Sequence, residues 1–217
     1  MRKENRTYYF SVEGETEKWY LKWLQKTINS TPDSKYNVKL DTKIQKNPLA
    51  RAKSLNILGK TEIVHIFDRE SEEKIHTKQF QETLDRMKTV QSMGKQIIYK
   101  LGYSNFSFEL WIILHKTNCY GTLSDRRQYL AHLNWAYGEN FESLEQYKHE
   151  YNFKRILKKL TLDDVREAIR RAKVIMKNNK NAGYVQQQYK GYKYYTENPA
   201  LSVWESIEKI MKVCGLM

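Results

Sequence analysis

The spacing of apolar positions changes repeatedly along the chain, and each change marks an element. Tyr8 to Val12 is a short β-like run closed by Glu13-Gly14, after which Trp19, Tyr20, Trp23 and Leu24 recur at helical spacing. This predicts strand, tight turn, helix. Asn37 to Thr42 predicts a second strand, and behind Pro48, a favoured first helical position, Leu49, Ala52, Leu55 and Leu58 recur with a three-residue step. Ile63-Val-His-Ile-Phe67 is continuously apolar, as in a central parallel strand covered on both faces, and stops at Asp68. Phe80, Leu84 and Met87 mark a third helix. Gln96 to Lys100 marks a fourth strand, and Phe106 to Leu114 a compact apolar block. The alternation predicts a three-layer α/β domain.

Beyond Cys119 the strand signal fades. Leu123 to Tyr151 carries helical fragments, and Thr161 stands at capping-box spacing from Asp164. The helix this opens puts Val165, Ala168, Ile169, Ala172 and Ile175 on an apolar face, and Arg166, Arg170, Lys173 and Lys177 on a basic one. A last helix near Ser202 should bury Val203, Ile207 and Ile210. The expected organisation is a core over residues 1–118, with a mostly parallel sheet flanked by helices. A helical, basic C-terminal extension over 119–217 should pack on it. With only Pro32, Pro48 and Pro199, no proline-rich spacer separates the two.

Composition narrows the partners. Of 217 residues 40% are hydrophobic, enough to form a core, which disfavours global disorder. The 38 basic and 25 acidic side chains leave +13, which points to a polyanion such as nucleic acid without naming a reaction. Cys119 and Cys214 are too few for a disulfide scaffold and lack zinc-site spacing, as expected in a reducing cytoplasm. The basic N-terminus runs directly into Glu13 and Glu15, unlike a signal peptide, and no segment approaches the ~20 apolar residues of a membrane span.

Candidate chemistry lies where strands end. Glu13 and Asp68 each follow the carboxyl end of a predicted parallel strand, the edge at which such sheets bind ligands, and Glu70 adds a third carboxylate. Three carboxylates suit a hard cation, Mg²⁺ or Mn²⁺, and metal-assisted phosphodiester cleavage. The ordinary alternative makes Asp68, Glu70, Glu72 and Glu73 an acidic loop capping the next helix, and Glu15 and Glu17 first-turn acids. Glu109 lies among Phe106, Phe108, Leu110, Trp111 and Ile112, so it needs a cation, a donor or a proton. Either a buried ion pair or a supporting role beside the site fits, with Ser104 and Asn105 as nearby donors.

His115 reads as packing or capping. His65, His76, His132 and His149 have no metal-ligand spacing and no Gly-rich phosphate loop is present, so zinc hydrolysis and nucleotide-driven motion lack support. The basic stripe, aided by Lys154, Arg155, Lys158 and Lys159, suits a phosphate backbone, or is simply a solvated face. Tyr189-Lys-Gly-Tyr-Lys-Tyr-Tyr195, with Lys190 and Lys193, suits stacking on unpaired bases or forms an aromatic seam.

Val12-Glu13-Gly14 after the first strand and Phe67-Asp68-Arg69-Glu70 after a later one resemble the Toprim domain, marked by a Glu in the first strand–helix turn and a later Asp-x-Asp. Glu13-Gly-Glu-Thr-Glu17, Phe67-Asp-Arg-Glu70 and Ser104-Asn-Phe-Ser-Phe-Glu-Leu-Trp-Ile-Ile-Leu-His115, with Asn198-Pro199 before the last helix, together look like the RloB family, including the AbiLii-type abortive-infection proteins. The resemblance implies a Toprim-like fold and a Mg²⁺- or Mn²⁺-dependent nuclease of prokaryotic defence. It implies Glu13 as general acid or base or as metal ligand, Asp68 as leading ligand, and Glu17 as a further carboxylate. Glu70 replaces the second Asp; its extra methylene demands a shifted backbone or another rotamer. The resemblance also implies an AAA- or ABC-like ATPase partner, although this chain shows no ATP site. The rival from another class is a non-catalytic nucleic-acid-binding adaptor. A primase-like phosphoryl-transfer enzyme is a third reading.

Overall fold

The computed structural model describes residues 3–57, 59–94, 96–121 and 123–217. Strands β1 (Glu4–Val12), β2 (Tyr36–Ile44), β3 (Thr61–Arg69) and β4 (Ile97–Asn105) form one sheet in the order β2-β1-β3-β4, with every neighbouring pair parallel. Each strand is longer than the apolar run that marks it. Polar residues continue the ladder at both ends, Glu4 opposite Tyr36 and, at the other end, Asp68 opposite Ser104 and Arg69 opposite Asn105.

Parallel neighbours need crossovers, and helices supply them. These are α1 (Glu15–Ser30), α2 (Pro48–Lys53) and α3 (Lys74–Thr89). Helix α2 starts as the sequence predicts, with the Asn47 side chain accepting from the Leu49 amide at 3.0 Å and Pro48 in the first turn. It stops sooner than the three-residue step suggests. The Ser54 hydroxyl takes the Arg51 carbonyl at 2.8 Å, Leu55 lies past the helix end, and Leu58 is outside the described residues.

Alternation along the strands sorts the core into two layers. Phe10, Val12, Val64 and Ile66 pack with Tyr20, Leu21, Leu24 and Ile28 of α1 and with the wholly buried α4 (Glu109–Leu114). On the opposite face Ile63, Phe67, Tyr99 and Tyr103 pack with Phe80, Leu84 and Met87 of α3. Helices thus cover both faces, and the fold is α/β with a Rossmann-like parallel sheet.

The C-terminal half adds α5 (Tyr129–Tyr137), α6 (Leu144–Lys148), α7 (Glu150–Lys158), α8 (Leu162–Asn181) and α9 (Val203–Val213). The Thr161–Asp164 capping box forms as spaced, and Val165, Ala168, Ile169, Ala172 and Ile175 are buried against α4 and the sheet layer. One segment is not helical. Gln187–Tyr189 (β5) and Tyr192–Tyr194 (β6) make an antiparallel hairpin whose two turn residues, Lys190 (φ 53°) and Gly191 (φ 90°), are both left-handed, as a tight hairpin requires. Its Tyr192 and Tyr194, with the following Tyr195, are buried in the α3 layer, Tyr194 lying edge-on to Phe80 at 4.9 Å.

After a cis Asn198–Pro199 bond the chain returns to the free edge of β4, where Leu201 bridges Ser104 and the Ser202 amide donates to the Tyr103 carbonyl at 2.8 Å. That covers an otherwise open strand edge. No helix among the described residues is long and apolar enough to cross a membrane.

Candidate functional site

From β1 the chain crosses to β2 on one side, while β3 lies on the other, so the connections diverge between β1 and β3. In open parallel sheets the crevice outside the carboxyl ends at this divergence is where ligands bind. Glu13 follows directly on β1, and Asp68 is the penultimate residue of β3. They meet there, because the Asp68 amide donates to Glu13 Oε2 at 3.2 Å.

Two further carboxylates join them. Glu17, in the first turn of α1, is 4% exposed and accepts from the Thr16 hydroxyl at 3.0 Å. Gly14 leaves it room, since a Cβ there would lie 3.1 Å from Glu17 Oε2. Glu109, at the start of α4, is fully buried. The chain reaches it through Phe106, held at φ 65°, an uncommon conformation for a bulky residue. The Phe106 amide is fixed to the Arg69 carbonyl at 2.8 Å, so the end of β3 itself stabilises the reversal.

Electrostatics confirm the proximity of the four acids. Burial pushes Glu17 up to about 7, and the charges of Glu109 and Glu13 add to the shift. Burial, then Glu17, Glu13 and Glu109, raises Asp68 well above the usual carboxylate range. Glu13 is raised by burial and by Glu70, against the opposing Asp68 amide and Lys46. An ammonium enters this group from α6. Lys148 Nζ lies 3.2 Å from Glu109 Oε1, and although burial disfavours its charge, Glu109 and Asp68 outweigh that and raise its pKa. At that distance Lys148 is within hydrogen-bond reach of Oε1, while Oε2 is buried with no donor.

The other expected site residues are placed differently. Glu70 stands at the rim, its side chain 44% exposed, with His76 Nε2 at 3.4 Å and the Ser71 hydroxyl 2.7 Å from His76 Nδ1. It reaches the group electrostatically through Glu13, so the carboxylate that joins Glu17 and the half-buried Asp68 is Glu109. Asn105 does not donate to the acids. Its amide group donates to the carbonyls of Tyr195 (3.3 Å), Thr196 (3.1 Å) and Glu197 (2.7 Å), which anchors the returning C-terminal segment. Ser104 is buried opposite Asp68 in the ladder, its hydroxyl without a partner.

Most of the basic stripe is paired. Arg166 binds Asp163 and the Leu216 carbonyl, Arg170 binds Glu167, and Lys173 binds Glu208. Lys177 is exposed and has no ion pair among the described residues. Among the auxiliary cations, Lys154 pairs with Glu150, and Arg155 and Lys159 share Glu139. On the hairpin Lys190 faces Asp85 at 3.5 Å, whereas Lys193 points to solvent. His115 packs as its position suggests, between the Tyr20 hydroxyl (3.1 Å) and the Trp111 carbonyl (2.9 Å), and burial lowers it to about 4.

Lys148 and Lys46 carry no sequence signal. Each is one of many lysines, and only the folded chain brings them to the acids.

The donor set is all oxygen, and the unsatisfied Glu109 carboxylate fits a hard divalent cation. Glu13, Glu17, Asp68 and Glu109 are the residues that would hold it. Among the described residues no three His, Cys, Asp or Glu side chains already form a ligand cluster, so the carboxylates would have to close around the ion.

Sheet, crevice and buried acids together define an α/β protein with an acidic site at the divergence of its central strands. The family model described as RloB-like protein matches residues 8–210, and the chain belongs to that family. Neither a curated protein nor a solved structure matches it.

Proposed function

We propose that this RloB-like protein is a Toprim-type nuclease that hydrolyses phosphodiester bonds of DNA or RNA with Mg²⁺ or Mn²⁺. The observation that carries the reading is the gathering of Glu13, Glu17, Asp68 and Glu109, largely buried and mutually repelling, at the carboxyl ends of β1 and β3. Such clustering is costly to a fold and is found where a site needs it. When bound, the cation polarises the phosphoryl group and the attacking water.

The chain's own residues do the rest. Asp68, Glu17 and Glu109 hold the positive charge in place. Glu13, at the mouth and fixed to the Asp68 amide, takes the proton of the water whose oxygen attacks phosphorus, and the departing oxygen is protonated from solvent. Lys177, Lys193 and the net charge of +13 draw the polyanion in. Glu70, at the rim beside His76, stands where the Toprim signature has its second Asp. A role in anti-phage defence, in the cytoplasm and with an ATPase partner, follows the family resemblance.

The test is a cleavage panel of single- and double-stranded DNA and RNA with Mg²⁺, Mn²⁺ or EDTA, alone and with the proposed ATPase partner. Cutting that EDTA stops is the expected result. The open spacing of the carboxylates favours a second reading, a nucleic-acid-binding adaptor, which predicts binding without cutting in every arm.

A further inference from the structure

Lys148 is the one cation in ion-pair contact with Glu109 among the described residues, at 3.2 Å. Its charge also acts on Asp68 and Glu17, so it serves three of the four acids at once. The contact reaches Oε1 only, and Glu109 Oε2, equally buried, has no donor. One half-exposed ammonium thus leaves a wholly buried carboxylate, which can accept several hydrogen bonds, under-satisfied.

The position of Lys148 also suits departure. It is the last residue of the short α6, just before the extended His149 that separates α6 from α7, and its side chain is 40% exposed. It borders a cavity of about 480 Å³ whose wall includes Glu142 and Glu145, with Arg126 and the Asp125-paired Arg127 also on it. An ammonium leaving Glu109 would therefore meet both water and new carboxylates.

We infer that Lys148 is the resident counter-ion of the acid group, occupying it until a divalent cation takes its place and displaces the ammonium into the adjoining cavity. The inference rests on the metal-dependent reading above and deepens it: Lys148 is a positioning residue that keeps the carboxylates together and sets how tightly the metal binds. It reverses the usual expectation for a charged residue at an active site, because removing it should improve metal binding.

The experiment is Mn²⁺ titration, by calorimetry and by electron paramagnetic resonance, of the full chain without nucleic acid. Wild type, Lys148→Gln, Lys148→Arg and Asp68→Asn are compared. Lys148→Gln should bind Mn²⁺ about tenfold more tightly than wild type, the order expected from removing one nearby, partly screened charge. Lys148→Arg, which keeps the charge, should stay near wild type, and Asp68→Asn should bind weakly. Wild-type binding with an equal or weaker Lys148→Gln overturns the inference and leaves the metal reading standing. No Mn²⁺ binding by either protein overturns both. Should Lys148→Gln be unfolded without metal, recovery of its circular dichroism on adding Mn²⁺ supports the inference, and failure to recover overturns it.

Discussion

The main-chain amide of Asp68 donates to the side-chain carboxylate of Glu13 at 3.2 Å, tying the residue that follows β1 to the last residues of β3. The bond crosses the point where the sheet's connections diverge, so the crevice has a fixed floor. It also separates two roles for Glu13. A glutamine there can still accept from the Asp68 amide but cannot take a proton from water. Glu13→Gln should therefore keep its circular dichroism spectrum and melting temperature while cleavage falls about 10²- to 10⁴-fold, read by single-turnover kinetics.

The buried acids make stability depend on pH in a defined direction. Glu17 has its folded pKa raised to about 7 from 4.5, so below about pH 4.5 it is protonated in both states. Between the two values the unfolded chain has released a proton that the folded chain retains, and stability falls as pH rises. His65 and His115, lowered to about 3 and 4, act oppositely below their ordinary value of 6.5, so the total slope is mixed. The difference between Glu17→Gln and wild type cancels the histidines and reports Glu17 together with Asp68, whose pKa its charge raises. In EDTA the variant should gain on wild type between about pH 4.5 and 7, by at most about 1.4 kcal/mol per pH unit, in urea melts. A variant whose difference from wild type is flat across that range contradicts the assignment.

Asn105 tests the anchoring of the C-terminal return. Asn105→Ala removes the donors to the carbonyls of Tyr195, Thr196 and Glu197, and should cost about 1–3 kcal/mol in denaturant unfolding. Asn105→Asp should cost at least as much, because a carboxylate would face the same carbonyls.

The basic stripe divides by pairing. Lys177→Ala should weaken nucleic-acid binding and reduce its salt slope by about one, in fluorescence anisotropy at several salt concentrations. Arg170→Ala should change binding less, because its charge is already met by Glu167.

Much of this was legible in the chain because apolar periodicity and local capping act over a few residues. The four strands, the Thr161 cap and the buried face of α8 follow directly from spacing. Glu13, Asp68 and Glu109 stand out because a carboxylate ending an apolar run, or lying inside one, has few ordinary explanations. What spacing could not give was tertiary. The hairpin over 187–194 depends on two left-handed residues, one of them Lys190, that no hydrophobic pattern marks. Asn105 looks like a loop donor until the distant 195–197 segment arrives to take its amide. Glu70 looks like a ligand from its place after Asp68, yet it lies past the end of β3, exposed beside His76 at the rim. Lys148 meets Glu109 only because the fold brings the end of α6 to the start of α4.

The central claim is that the acids at the carboxyl ends of β1 and β3 cut phosphodiester bonds, and Asp68→Asn tests it most directly. Cleavage and nucleic-acid affinity should be measured side by side for wild type and variant, on the best substrate and in saturating Mg²⁺ or Mn²⁺. The account predicts that the folded variant binds nucleic acid within a few-fold of wild type and no longer cuts it. A variant that cuts as fast as wild type, or a wild type that binds but never cuts even with the proposed ATPase partner present, would contradict it.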